Sequence, residues 1–136
     1  MICRKALEMQ KTSLSWKAAR LSVGVVPTMG ALHEGHLSLV AAAKQQCDRV
    51  IVTIFVNPTQ FNDTEDLTRY PHTESADTAL LASHAVDVIF APAPEDVYPL
   101  EFASQVIVGG WPTCLRASFA PATLRGLQRL WLNFLA

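Results

Sequence analysis

No run in this chain is long and apolar enough to cross a bilayer. The most strongly apolar stretch, Val50 to Val56, falls far short of the roughly 20 residues a spanning helix needs. Cysteine is scarce too. Cys3, Cys47 and Cys114 are odd in number and share no Cys-x-x-Cys spacing, so neither a disulfide framework nor a zinc site is expected. A surplus of positive charge is missing, since 11 Lys and Arg stand against 12 Asp and Glu. A nucleic-acid binder or an anionic-membrane binder would show that surplus, and neither is expected. Arg4, Lys5, Glu8 and Lys11 interrupt any apolar core near the N-terminus, so no secretory signal is expected and the chain reads as cytoplasmic. Internal repeats, low-complexity segments, a Walker-type phosphate loop and a GxGxxG fingerprint are all lacking.

What is present is a globular composition. The 136 residues are 50% hydrophobic and 17% charged, enough for one domain with a core of its own. Helical spacing predicts a helix over 8–20, with Leu7, Leu14 and Trp16 as buried positions. A short apolar strand is expected over 22–26, stopped by Pro27 and Gly30. Residues 37–46 are rich in helix formers, with Leu37, Val40, Ala41 and Lys44 at helical spacing. Residues 49–56 are β-branched and apolar throughout, which fits a central strand covered on both faces. A helix over 73–85 with Thr73 at its N-cap and a strand over 86–90 follow, then a loop through Pro94 and a fourth strand over 105–108. Strands separated by helices imply an α/β fold with a parallel sheet, whose ligands bind at the carboxyl ends of the strands.

The loop after the first of these strands runs from Pro27 through Met29, Gly30, His33, Glu34 and Gly35 to His36. It joins a strand to a helix, where backbone N–H groups and the helix dipole favour an anion. His33 and His36, three apart at a helix start, fall on one side. Gly35 between them leaves room for a close approach. Three readings stand: a polar surface, a two-histidine metal site without a third ligand, or imidazoles donating to a polyphosphate.

The HxGH sequence at this junction resembles the signature of the class I nucleotidyltransferase superfamily. Two further segments narrow the likeness: Phe55 to Phe61 (FVNPTQF) and Glu65 to Pro71 (EDLTRYP). With the loop from Val26 to His36, they resemble the pantoate–β-alanine ligase family over about residues 6–108. That likeness implies a Rossmann-like parallel sheet with flanking helices, in truncated form. It implies ATP with Mg²⁺ as cofactors, pantoate and β-alanine as substrates, and a homodimer as a possible assembly. Pantoate would be activated as an acyl adenylate with release of pyrophosphate, and the β-alanine amine would displace AMP. By the same likeness, His33 and His36 are the catalytic pair, and ATP would be bound by Met29, Gly30, His33, Gly35 and His36. Met29 and Gln60 would hold pantoate, and Asp77 would contact the metal unless it is merely a solvated helix carboxylate. Another nucleotidyltransferase would share HxGH but has no reason to carry FVNPTQF; a non-catalytic nucleotide-binding module is the alternative from a different class. Cys47, Tyr70, Tyr98 and His84 are expected to be structural, and Asn57-Pro58 is expected to fix the loop that delivers Gln60.

The chain departs from the family pattern in two ways. His72 stands where the family has arginine, and imidazole does not reproduce a permanently charged planar fork. The family's chains are also about twice as long, with a second part that carries an adenylate-forming lysine loop. All 12 acidic residues lie between Glu8 and Glu101, whereas 102–136 carries only Arg116, Arg125 and Arg129 as charges. Residues 1–110 are therefore expected to be an incomplete nucleotide- and pantoate-binding domain, 111–136 an aberrant tail, and the C-terminal domain absent. Permitted codons for 111–127, reread one nucleotide earlier, give a family-like run containing Arg-Pro-Gly-His-Phe, so a frameshift is the expected origin of the tail. A genuine helix over 124–135 is the competing reading. Sequencing the DNA across codons 105–136 and beyond should reveal one added or lost base that restores the motif and a long open frame. A confirmed frame with nothing family-like downstream would discard the frameshift.

Overall fold

The strand β3 (Arg49–Ile54) sets the layering of the molecule. The computed structural model describes residues 1–61 and 63–98. Side chains alternate along a strand, so Val50, Val52 and Ile54 enter one apolar cluster while Ile51 enters another. The first cluster is closed by Val40 and Ala43 of α2 (Glu34–Gln46) and by Leu81 of α4 (Glu74–Ser83). The second is closed by Ala6, Met9 and Trp16 of α1 (Ala6–Ala18) on the opposite face. Both faces of β3 are thus covered, as its unbroken apolar run predicts.

The sheet has the order β1-β4-β3-β2, with β1 at Ile2–Cys3, β2 at Val23–Thr28 and β4 at Val88–Phe90. Every pairing is parallel, and β2 runs in register with β3 from Val23 opposite Arg49 to Thr28 opposite Ile54. Three small elements complete the carboxyl side: a 3₁₀ turn at Pro58–Gln60, α3 (Thr64–Arg69) and α5 (Pro94–Val97).

Several expectations are corrected. Leu7 and Leu14 are exposed, at 62% and 54%. The sheet-facing stripe of α1 runs instead through Ala6, Met9 and Trp16, positions that share a face at helical spacing. On α2 the buried positions are Leu37 and Val40, while Ala41 and Lys44 face outward. Pro27 does not stop β2, which continues to Thr28. Among the described residues β2 is an edge strand, where a proline's missing N–H breaks no second ladder. The helix α2 starts at Glu34 because His33 caps it. β3 ends at Ile54 and β4 begins at Val88, each two residues inside the expected run. The two-residue strand β1 was not expected, nor were α3 and α5. The strand over 105–108 and the tail 111–136 lie outside the described residues.

Leu81, with no exposed surface, holds α4 on the sheet. Leu81→Ala should destabilise the chain by about 2–5 kcal/mol, as large-to-small changes in cores do. Leu14→Ala should stay within about 0.5 kcal/mol. Chemical denaturation of both variants checks the pair.

Candidate functional site

The carboxyl ends of β2 and β3 are locked together by two threonines. Thr28 N–H donates to Thr53 Oγ1 at 3.0 Å, and Thr28 Oγ1 donates to the Thr53 carbonyl. Both residues are buried. Thr28 Oγ1 also accepts the Gly30 N–H at 3.2 Å, so the same hydroxyl starts the turn that follows the strand.

That turn passes through Gly30 at φ 85° and Ala31 at φ 50°. The left-handed conformation is free for glycine but costs an alanine about 1–2 kcal/mol. Asp77 of α4 offsets the strain. Its Oδ2 accepts the Ala31 N–H at 2.9 Å and its Oδ1 accepts the Leu32 N–H at 2.8 Å. Thr73 Oγ1 donates to Asp77 Oδ2 at 2.9 Å and accepts from Ala31 N–H at 3.1 Å. Thr73 therefore occupies the N-cap position without making the expected cap bond; its hydroxyl is turned to the loop. Asp77 is 3% exposed, so it is not a solvated helix carboxylate. Three of its roughly four acceptor positions are filled by these donors. The Ala31 and Leu32 amides, which the sequence offers to an anion, are already occupied by this internal carboxylate.

The chain then enters α2 through a cap built from histidines. His33 Nδ1 accepts the Gly35 N–H at 3.1 Å, and His33 N–H donates to His36 Nδ1 at 3.4 Å. The two rings lie with centroids 4.1 Å apart, tilted by 45°. Because each Nδ1 accepts a backbone N–H, a neutral ring carries its proton on Nε2, and the cap fixes the tautomer. Burial, and then the neighbouring His33, pull the His36 pKa below the ordinary imidazole value, with Asp77 opposing. His36 is thus neutral near pH 7, a donor through Nε2–H. A Cβ on Gly35 would lie 2.9 Å from the His33 ring, so the close approach that this glycine permits is that of its own neighbour's side chain.

After β3, Asn57 is fully buried. Its Oδ1 accepts from Thr59 N–H, Thr59 Oγ1 and Tyr98 OH at 3.1, 2.9 and 3.1 Å. That arrangement shapes the Pro58–Gln60 turn, as expected for Asn57-Pro58, and makes Tyr98 a loop anchor. Gln60 is 8% exposed on this turn. Phe61 meets Tyr70 edge-on at 5.6 Å. His84 Nδ1 lies 2.9 Å from the Leu80 carbonyl, a local contact of the helix end.

Between these exits lies an open cavity of about 520 Å³, within the usual range for small-molecule sites. Met29 and Gly30 line it after β2, Phe55 and Val56 after β3, and Pro92 after β4. Asp77, Thr73 and His72 face it from the α4 side. Of the residues singled out in the sequence, Met29, Gly30 and Asp77 form its wall, while His33, Gly35 and His36 sit on the neighbouring helix start and Gln60 beside the lining residue Pro58. No group of three or more His, Cys, Asp or Glu gathers to hold a metal among the described residues. Thr28 and Thr53 escaped the sequence reading, which gave Thr73 only as a helix cap. The one signal for them was a polar residue, Thr53, inside an otherwise apolar strand.

The family model described as pantoate-beta-alanine ligase matches residues 1–135. The pantothenate synthetase of Ruegeria pomeroyi is 52% identical over 126 residues, covering 93% of this chain and 44% of that protein. That of Cereibacter sphaeroides is 55% identical, covering 93% and 45%. Among solved structures, pantothenate synthetase from Thermus thermophilus superposes with a TM-score of 0.82 at 38% identity, covering 98% of this chain and 48% of its own. Pantoate-beta-alanine ligase from Francisella tularensis, complexed with beta-gamma ATP and β-alanine, gives 0.88 at 37% identity, covering 99% and 52%. The chain spans about half the length of the relatives it matches. Its parallel sheet and flanking helices are those of a Rossmann-like nucleotidyltransferase fold, and the chain belongs to the pantoate–β-alanine ligase family.

Proposed function

We propose that this chain carries the ATP- and pantoate-binding half of a ligase that joins pantoate to β-alanine. The observation that carries the reading is the histidine cap, which engages Nδ1 of both rings at a helix start a few residues after the cavity-lining Met29 and Gly30. In this reading His33 and His36 donate to the phosphates of ATP, helped by the positive end of α2. Such donors act on charge that grows as the pantoate carboxylate attacks the α-phosphate and pyrophosphate departs. The amine of β-alanine then attacks the pantoyl adenylate, forming the amide and releasing AMP. Met29 and Gly30 wall the nucleotide side of the cavity, and Met29 with Gln60 would bound the pantoate site. Gln60 suits a hydroxy acid, because its amide both donates and accepts.

Magnesium would arrive on the phosphates of ATP, as this ion commonly does. The described residues do not build a cage for it, and the acceptor positions of Asp77 are largely spent on the loop. No step is assigned to a metal contact there. The family resemblance adds a second copy of the chain as partner. It also places the adenylate-forming lysine loop in the part of the family pattern that this sequence does not match. A partial constellation forfeits most of the advantage of positioning, so the 136-residue polypeptide alone should bind ATP but release AMP little above background. Normal turnover in a coupled AMP-release assay would overturn the second half of that statement.

The His36 cap makes two further outcomes measurable. His36→Ala should weaken ATP binding about ten- to a hundredfold, the scale of one hydrogen bond to a charged group; unchanged affinity by calorimetry would remove His36 from the site. The pKa of His36 is lowered in the fold, so the unfolded chain takes up its proton first on acidification. The stability this group contributes is present above about pH 6.5 and is lost as pH falls from there through the lowered folded value. Thermal melts of the parent and His36→Gln should therefore diverge above about pH 6.5 and converge as the pH falls below it.

A further inference from the structure

We propose that Asp77, seconded by Thr73, is a positioning residue for the histidine pair, setting the loop before α2 so that both imidazoles present Nε2–H to a bound polyphosphate. The ligand part of this statement rests on the nucleotide reading above; the positioning part does not. Asp77 lies 45 and 46 residues from the amides it accepts and belongs to a different helix. It binds two successive N–H groups through separate oxygens, which fixes the peptide planes on both sides of Ala31. Leu32, the second of these donors, packs against the apolar cluster under α2, and the next residue is the cap, His33. The path from carboxylate to imidazole is therefore two residues of backbone, held at one end by hydrogen bonds and in the middle by packing.

The residue type is tightly specified. A Cβ on Gly30 would come within 3.0 Å of Asp77 Oδ2, so the carboxylate rests against the glycine and a longer Glu side chain has no room. Asn would offer one acceptor and turn an NH₂ toward a donor. Thr73 adds a hydroxyl that both gives to Asp77 and receives from Ala31, which valine cannot do and serine can. An acidic residue whose oxygens are spent on backbone amides at the mouth of a site acts through the groups it orients, not by touching the reacting atoms.

The test uses the 136-residue chain with ¹⁵N-labelled histidine, ATP as the probe, and Asp77→Asn, Thr73→Val and Thr73→Ser. In the parent, two-bond ¹H–¹⁵N spectra should show His33 and His36 as Nε2–H tautomers. Asp77→Asn and Thr73→Val should shift both toward mixed tautomers and weaken ATP binding about tenfold, the equivalent of one such hydrogen bond. Thr73→Ser should restore parent behaviour in both measurements. If the variants lower the melting temperature but leave both imidazole spectra unchanged, Asp77 only supports the fold and the proposal fails. If the parent does not bind ATP while the imidazole spectra respond to Asp77→Asn, the nucleotide reading fails and the positioning role stands. Should Asp77→Asn not fold, the Thr73 pair decides the matter alone.

Discussion

A carboxylate on one helix accepting two amides from the loop in front of another is the contact on which the site depends. Asp77 sits on α4, and α4 is held to the sheet by Leu81, which is fully buried against β3 and β4 residues. The loop it grips leaves β2, whose end is tied to β3 by the Thr28–Thr53 exchange. The grip therefore joins the exits of two strands to a helix that follows the second of them. It allows Ala31 to keep a left-handed backbone that would otherwise relax. Removing the carboxylate would leave the part-buried Leu32 N–H without its acceptor and the Ala31 N–H with Thr73 alone, a cost on the order of 1 kcal/mol for the orphaned group.

The same contact settles the electrostatics of the cavity. Two carboxylates, Glu74 and Asp77, line it, an unpromising wall for any anion. Both are answered from within the protein. Glu74 is paired with Arg4, which follows β1, and the Arg4 bond holds its carboxyl below the usual range. Asp77 is answered by two amides and a hydroxyl. Neither carboxylate needs the ligand to supply a positive partner. The start of α2, capped by His33, adds the positive end of a helix dipole next to this loop.

The broad fold was legible because its signals are local. The unbroken apolar run of β3, the helix formers of α2 and the turn residues between them each report their own segment. Motif spacing likewise placed His33, Gly35 and His36 on a strand-to-helix junction. What escaped depends on pairings that one sequence does not display. β1 has only two residues and exists because β4 offers it an edge. Pro27 reads as a stop until β2 is known to be an edge strand. Leu7 and Leu14 look like core, since apolarity alone does not say which stripe of α1 meets the sheet. Asp77 was noticed as an acid near a ligand site, but its partners are 45 and 46 residues away, and its burial follows from them.

The glycines of the motif show how such a loop is prepared before a ligand arrives. Read from sequence, Gly35 leaves space for a ligand; in the fold that space is taken by the His33 ring, and the space beside Gly30 by Asp77. Each glycine admits a side chain of the protein against the backbone, and each admitted side chain occupies amides of the loop. Gly35 N–H goes to His33, and the Ala31 and Leu32 N–H groups go to Asp77. The Nε2 atoms of the imidazoles take no part in the cap, which engages both rings through Nδ1. A loop with every amide open would accept any small anion, whereas one whose amides are spent internally leaves recognition to side chains.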